Sequence, residues 1–259
     1  MLRTQLAAVL LCFLSLSAPG AALNISGALP NIDDLNAVLL RNVRNGFVDY
    51  DGIRADPAFG RFVSGLASGQ AVAEVGDLKA PGARLALLIN AYNAFAIQGI
   101  LDGYSPSSAL GRYTFFKRRQ YALLGGKTTL EDLEHGQILP LREPRIHFAI
   151  VCASLSCPRL ANQAYAPASL EGQLEAAARA FANDGTRNRY DVSRKLAFLS
   201  SIFDWYGADF SGTAGSVQKY LARYVSDPAV RELLARDGFE VRFVDYDWDL
   251  NGVYRGKPD

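Results

Sequence analysis

The segment from Ala83 to Leu101 is apolar on nearly every side of a helical wheel, and nothing else in the chain constrains the fold as strongly. A helix without a polar face has to be covered all round by the rest of its chain. Asn90 and Asn93 are the exceptions, three residues apart and on one face with Ile97. A buried amide is costly unless its hydrogen bonds are met. Both are therefore expected to carry partners, either stray backbone groups or members of a site.

Around this helix the pattern alternates between helical and extended signals. Asp33 to Val43 predicts a helix with Asp33 and Asp34 as its cap and Leu35, Val38, Leu39 and Val43 as its stripe. Asp56-Pro57 opens another, and the stretch from Ser64 to Gly82 is weakly specified. Thr128 or Thr129 caps a helix holding Leu130, Leu133, Glu134, His135 and Ile138. Further helices are predicted over 169–183, 202–206, 216–225 and 227–236, the last with Asp227 as cap and Pro228 at its first position. Strands are predicted at Tyr113–Phe116 and Tyr121–Leu124 as a hairpin, at Arg145–Cys152 inside the protein, at 190–192 paired with 196–199, and at Phe239–Tyr246. There is no strict βαβ alternation. The expectation is one α+β domain, with several helices packed around a small, mainly antiparallel sheet.

The first 22 residues read as an address. Arg3 gives a positive start, Leu6 to Leu16 is apolar except for Ser15, and Ala18-Pro19-Gly20-Ala21-Ala22 offers small residues for cleavage. The run is too short to span a bilayer, and no later segment is expected to cross one. Residues 23–259 then carry 26 basic and 26 acidic side chains, a neutral balance that argues against a nucleic-acid partner. A periplasmic or secreted protein follows. Its partner would be a small-molecule or peptide ligand, with no cofactor implied, and its oligomeric state is not written in the sequence.

Four blocks are informative together: LLINAYNAFAI, TTLEDLEHGQIL, RIHFAIVCASLSCPRL and LSSIFDWYGADF. In that order they resemble the family called domain of unknown function 547. The resemblance places the family domain at about Lys79 to Asn183, and the Tyr246-Asp247-Trp248 segment also looks like its members. Those members include exported bacterial proteins and parts of larger eukaryotic chains. The family's name implies no established activity.

Beyond the leader the chain has two cysteines, Cys152 and Cys157, and two histidines, His135 and His147, all within residues 135–157. Four chemistries fit. In an oxidising compartment the cysteines can pair, and closing so short a loop is worth about 2 kcal/mol. Alternatively Cys152 is a nucleophile at the end of a strand, activated by a histidine. On a regular strand His147, five residues away, would face the opposite side, whereas His135 arrives from a helix without that restriction. Asn90 or Asn93 could then orient a histidine or polarise a carbonyl. A metal set of two cysteines and two histidines is the third chemistry, although the spacings are not those of a zinc finger. An inert, buried cluster is the fourth. Asp247 to Gly252 also matches the start of a calcium loop but lacks its closing acid, with Pro258 at the twelfth position, so a polar turn is the plainer account. Tyr50, Tyr113, Trp205, Tyr206 and Phe210 could line a groove or sit in the core.

The functional expectation is a thiol-dependent hydrolase or acyl-transferase acting on peptide or amide bonds. Cys152 would be its nucleophile, His135 or His147 its base, and Asn90 an orienting or oxyanion group. The alternative is a non-enzymatic envelope binding protein with a Cys152–Cys157 bridge. N-terminal sequencing of protein recovered from the cell envelope or medium should read from near Leu23; a chain still starting at Met1 would refute the leader.

Overall fold

A computed structural model describes residues 30–68 and 81–256, so the expected leader lies outside the described residues. The chain enters through α1 (Ile32–Asn42), whose cap is Asn31, accepting from the Asp33 N–H; Asp33 and Asp34 occupy the first turn, where the helix dipole favours them. β1 (Val43–Arg44) and β2 (Phe47–Asp49) turn at Asn45-Gly46, both with positive φ. α2 (Tyr50–Ala55) comes next, capped by the Asp49 side chain through the Gly52 N–H. α3 (Pro57–Ser68) follows, and then α4 (Pro81–Leu101).

α4 is the axis of the fold. Leu88, Ile89, Ala91, Ala94 and Phe95 are all buried, on every side of the helix. By length and composition Gly82–Leu101 is long and apolar enough to cross a membrane, but the helix is mostly buried inside the fold, as a core helix is.

The next segment departs from the predicted hairpin. Tyr113 to Phe116 is helical: α5 (Ala109–Tyr113), capped by Ser108, widens into a π-helical turn over Thr114–Arg118. The hairpin forms one step later, as β3 (Tyr121–Leu123) against β4 (Gly126–Thr128), with Leu124 and Gly125 at positive φ in its turn. An aromatic run fits a buried helical face as well as a strand, and the Ser108 cap decides between them here. Thr129 caps α6 (Leu130–Leu133) through the Asp132 N–H, and the helix widens into a second π turn at Glu134–Ile138.

Residues 145–152 are not a strand. Pro144 to Phe148 forms a 3₁₀ turn capped by the Glu143 side chain, and Arg145 pairs with Glu143 and Glu171. Where a neighbouring strand would supply hydrogen bonds, Asn93 does so instead: its Nδ2 donates to the Ala149 carbonyl at 2.9 Å and its Oδ1 accepts from the Val151 N–H at 2.8 Å. Asn90 makes the same double bond to Tyr165, donating to its carbonyl at 2.7 Å and accepting from its N–H at 2.8 Å.

The remainder is α7 (Leu170–Ala182), β5 (Arg189–Asp191), β6 (Leu196–Ser200), α8 (Ile202–Trp205), α9 (Gly207–Ala214), α10 (Val217–Leu221), α11 (Pro228–Ala235), β7 (Glu240–Val244) and β8 (Gly252–Val253); α9 and β8 are additions to the expected elements, and α10 and β7 are shorter than predicted. Asp227 caps α11 as predicted. The architecture is α+β. The sheet is divided into three small ones, ordered β1-β2-β8, β3-β4 and β5-β6-β7, with parallel pairings at β2–β8 and β6–β7. One hydrophobic cluster surrounds α4; a second joins α7, β6 and the C-terminal helices. Ile146 belongs to the first and Phe148 to the second, so His147 lies where they meet.

Replacing Asn93 by leucine strands one buried carbonyl and one buried N–H, and should lower unfolding stability by about 2–4 kcal/mol. Equal denaturant midpoints for Asn93→Leu and wild type would show that this bridge bears no weight.

Candidate active site

A cavity of about 470 Å³ opens beside the end of the 145–152 segment. Cys152, Cys157, His135 and His147 all border it. The parity argument that set His147 on the face opposite Cys152 presumed a regular strand. The 3₁₀ turn removes that presumption and brings both residues to one space. Asn90 does not border this cavity; its amide is committed to Tyr165.

The two cysteines form a disulfide, with Cα atoms 6.3 Å apart. Their surroundings are unequal. Cys157 is 2% exposed, while Cys152 is partly exposed toward the cavity. The Cys157 sulfur accepts from the Cys152 backbone N–H at 3.0 Å and from the Tyr246 hydroxyl at 3.1 Å. The Ser154 hydroxyl lies 3.2 Å from that sulfur and donates to the Tyr246 oxygen at 3.2 Å. The Cys152 sulfur lies 3.2 Å from Ser154 Oγ and 3.3 Å from the Tyr246 oxygen, and among the described residues no hydrogen bond joins it to either imidazole. Burial pushes the Tyr246 hydroxyl up to about 12, so it stays a proton donor at neutral pH.

The intervening loop is held from outside. Arg187 donates to the Cys157 carbonyl at 2.7 Å and the Leu155 carbonyl at 2.8 Å, and is itself held by Asp184. The Leu155 and Ser156 N–H groups bond to the carbonyls of Asp249 and Asp247, and the Asn251 N–H bonds to Ala153. The calcium-like segment thus serves as a brace for the cysteine loop, with Asn251 Oδ1 accepting from Tyr50 at 2.6 Å. Ala153 adopts φ +62°, a conformation an L side chain enters at a cost of about 1–2 kcal/mol.

The π turn after α6 aims Glu134 inward. It is 6% exposed and accepts from Tyr92 at 3.1 Å and Tyr206 at 2.5 Å, one phenol on each oxygen. Burial and the Glu134 charge push both phenols well above their ordinary range, so both remain protonated donors. His147 stacks on Tyr206 with ring centroids 3.9 Å apart, and its Nε2 lies 2.8 Å from Asp209. A carboxylate at Nε2 keeps the proton there, leaving Nδ1 with the lone pair. Burial lowers the His147 pKa; the bond to Asp209 and the charge of Glu134 oppose the shift without reversing it. His135 also borders the cavity but is exposed.

The far wall is aromatic. Trp205, Tyr246 and Trp248 cluster with centroids 4.5–5.9 Å apart, Phe116 meets Trp248 edge-on, and Arg112 lies over the Trp248 ring at 4.8 Å. Tyr113, Trp205 and Tyr206 were expected as groove candidates and line the cavity; Tyr50 and Phe210 are core. Sequence reasoning missed Glu134, Asp209, Tyr246 and Trp248 as site residues. Glu134 stands beside His135, a usable hint. The others come from distant segments and carry no local signal.

Residues 77–182 match the family model described as "Protein of unknown function, DUF547". This segment belongs to the DUF547 family. Its ends fall within two residues of the span expected from the sequence. No curated protein and no solved structure matches the chain. The DUF547 segment supplies both cysteines, both histidines, Glu134 and Tyr92; the aromatic wall beyond Phe116, together with Asp209, lies outside it.

Acid should destabilise the fold partly through His147. The unfolded imidazole binds its proton near pH 6.5, the folded one only at lower pH, so stability is lost as pH falls below about 6.5 toward the folded value. Melting temperatures taken between about pH 7.5 and 5 should drop less steeply in His147→Phe than in wild type. Parallel curves would mean that the buried ring carries no such linkage.

Proposed function

We propose that the cavity is a thiol-centred active site, working on peptide or amide bonds by hydrolysis or acyl transfer when the cysteine pair is reduced. The observation that carries this reading is one cavity bordered by a partly exposed cysteine and by a neutral histidine held by a carboxylate. In the reaction, His147 Nδ1 takes the Cys152 proton, directly or through one water, as a ligand draws the groups together; such contacts commonly tighten only when substrate is bound. The thiolate attacks the carbonyl carbon, the leaving amine receives the proton, and water or a second amine releases the acyl group. Tyr246, protonated at neutral pH, is the donor nearest to hand for the developing oxyanion, because the Tyr206 proton is committed to Glu134. Asn90 has no part in this scheme, because its amide is already bonded to Tyr165. The aromatic wall suits an apolar or aromatic ligand segment. An exported protein, as the leader suggests, would meet such bonds in the envelope.

A second reading has its own support. A cysteine pair already bridged offers no thiolate, and a non-enzymatic ligand-binding protein of the envelope fits that state. The two readings part on one experiment. Protein reduced and freed of excess thiol is incubated with p-nitrophenyl acetate and a panel of peptide p-nitroanilides, and intact mass is followed. An acyl adduct on Cys152, formed about a hundredfold more slowly in His147→Gln, is the expected result. Absence of any adduct on Cys152 in the reduced protein, or equal rates in the variant, would leave the binding reading standing.

A further inference from the structure

The unequal surroundings of the two sulfurs carry a second activity. We infer that the Cys152–Cys157 pair is a thiol–disulfide exchange centre, in which an incoming thiolate attacks Cys152 and Cys157 leaves. The inference does not rest on the acyl-transfer reading. It begins from the oxidised protein, whereas that reading begins from the reduced one.

Three observations fix the direction. Access comes first: both cysteines border the cavity, but Cys152 is partly exposed there while Cys157 is buried. Attack on a disulfide goes to the sulfur that a thiolate can reach. The second is charge. The sulfur that leaves takes the electron pair of the broken bond, and exchange is faster when that thiolate is stabilised. Cys157 Sγ already accepts from the Cys152 N–H and from Tyr246, and Tyr246 in turn accepts from Ser154. A backbone N–H and a phenol are therefore in place before charge appears. The third is support. Arg187 grips the Cys157 and Leu155 carbonyls, so the loop keeps its shape when the bond opens. None of these features is needed to keep a structural bridge intact.

The step balances. A thiol R–SH loses its proton to solvent or to an imidazole at the cavity. Its thiolate sulfur bonds to Cys152 Sγ, the Cys152–Cys157 bond breaks, and the electron pair goes to Cys157 Sγ. A second thiolate then attacks the R-bearing sulfur and releases R–S–S–R, leaving both cysteines reduced. Two thiols, or one dithiol, are oxidised for each disulfide reduced. The substrate class is thus a thiol or dithiol, free or on a polypeptide, presented against the aromatic wall.

The test uses the mature chain in native buffer, with the wild type oxidised. With oxidised glutathione as probe, the Cys152 thiolate of Cys157→Ser should displace one glutathione thiolate and accumulate a stable mixed disulfide, seen by peptide mapping without reduction, while Cys152→Ser should label slowly. With dithiothreitol as probe, opening of the bridge in Tyr246→Phe should be about tenfold slower than in wild type, the effect of one hydrogen bond to a charged sulfur. Ser154→Ala should be slowed in the same direction but less, and it carries the comparison if Tyr246→Phe does not fold. Circular dichroism checks each variant. The inference is overturned if glutathione lodges on Cys157, if both variants open at the wild-type rate, or if the bridge opens only in denaturant. An exchange-active protein that never acylates would sink the acyl reading alone, and the converse result would sink this one alone.

Discussion

The side chains of Asn90 and Asn93 are the joints on which this structure turns. Each sends a paired hydrogen bond from the buried axis helix to a backbone segment that has no strand to pair with: Asn93 to Ala149 and Val151, Asn90 to Tyr165. An amide matches a peptide group in donor and acceptor, so each asparagine stands in for one residue of a neighbouring strand. An irregular segment can then run through the interior without orphaned polar groups. The cysteine loop begins just past the Asn93 joint, at Cys152, and the loop after Cys157 ends near the Asn90 joint, at Tyr165. Both ends of the reactive stretch are thereby pinned to one rigid helix.

What those joints position is an asymmetric electrostatic environment. Glu134, His147 and Cys157 are buried, so the hydrogen bonds they make are stronger than their solvent-exposed counterparts. Tyr92 and Tyr206 neutralise the two oxygens of Glu134 as acceptors, and Tyr206 also supports the face of His147. Tyr246 performs the corresponding service for the sulfurs. Three phenols, all held in their protonated form by burial, thus border the cavity, two of them donating to the buried carboxylate and the third to a sulfur. Of the three, Tyr246 is the one placed to support negative charge on sulfur.

Much of this was legible in the sequence where the determinants are local. Helices with a regular stripe, such as α1, α7 and α11, appear within a residue or two of their predicted ends. The burial of α4 follows from its composition. The misreadings share one cause. Short apolar runs, Tyr113–Phe116 and the stretch ending at Cys152, satisfy strand and buried-turn patterns alike. Ser108 and Glu143 settle them by capping, and Asn93 settles the second from 56 residues away at Ala149. The cluster of cysteines and histidines was visible because rare residues stand close in sequence. Asp209, Tyr246 and Trp248 were not, because only tertiary folding brings the first to His147 and the other two to the cavity.

The cavity's two sides therefore have different histories along the chain. Its sulfurs, imidazoles and buried carboxylate lie between residues 134 and 157, whereas Trp205, Tyr206, Tyr246 and Trp248 come from residues 205–248. During vectorial synthesis the reactive half emerges first and stays uncovered until the C-terminal segment docks. Contacts of such long sequence separation form late in folding. The brace from Asp247 to Asn251 closes directly onto the cysteine loop. A nascent chain halted before it would display the two sulfurs to solvent without their phenol, so the sulfurs gain their final surroundings only once this segment has been made.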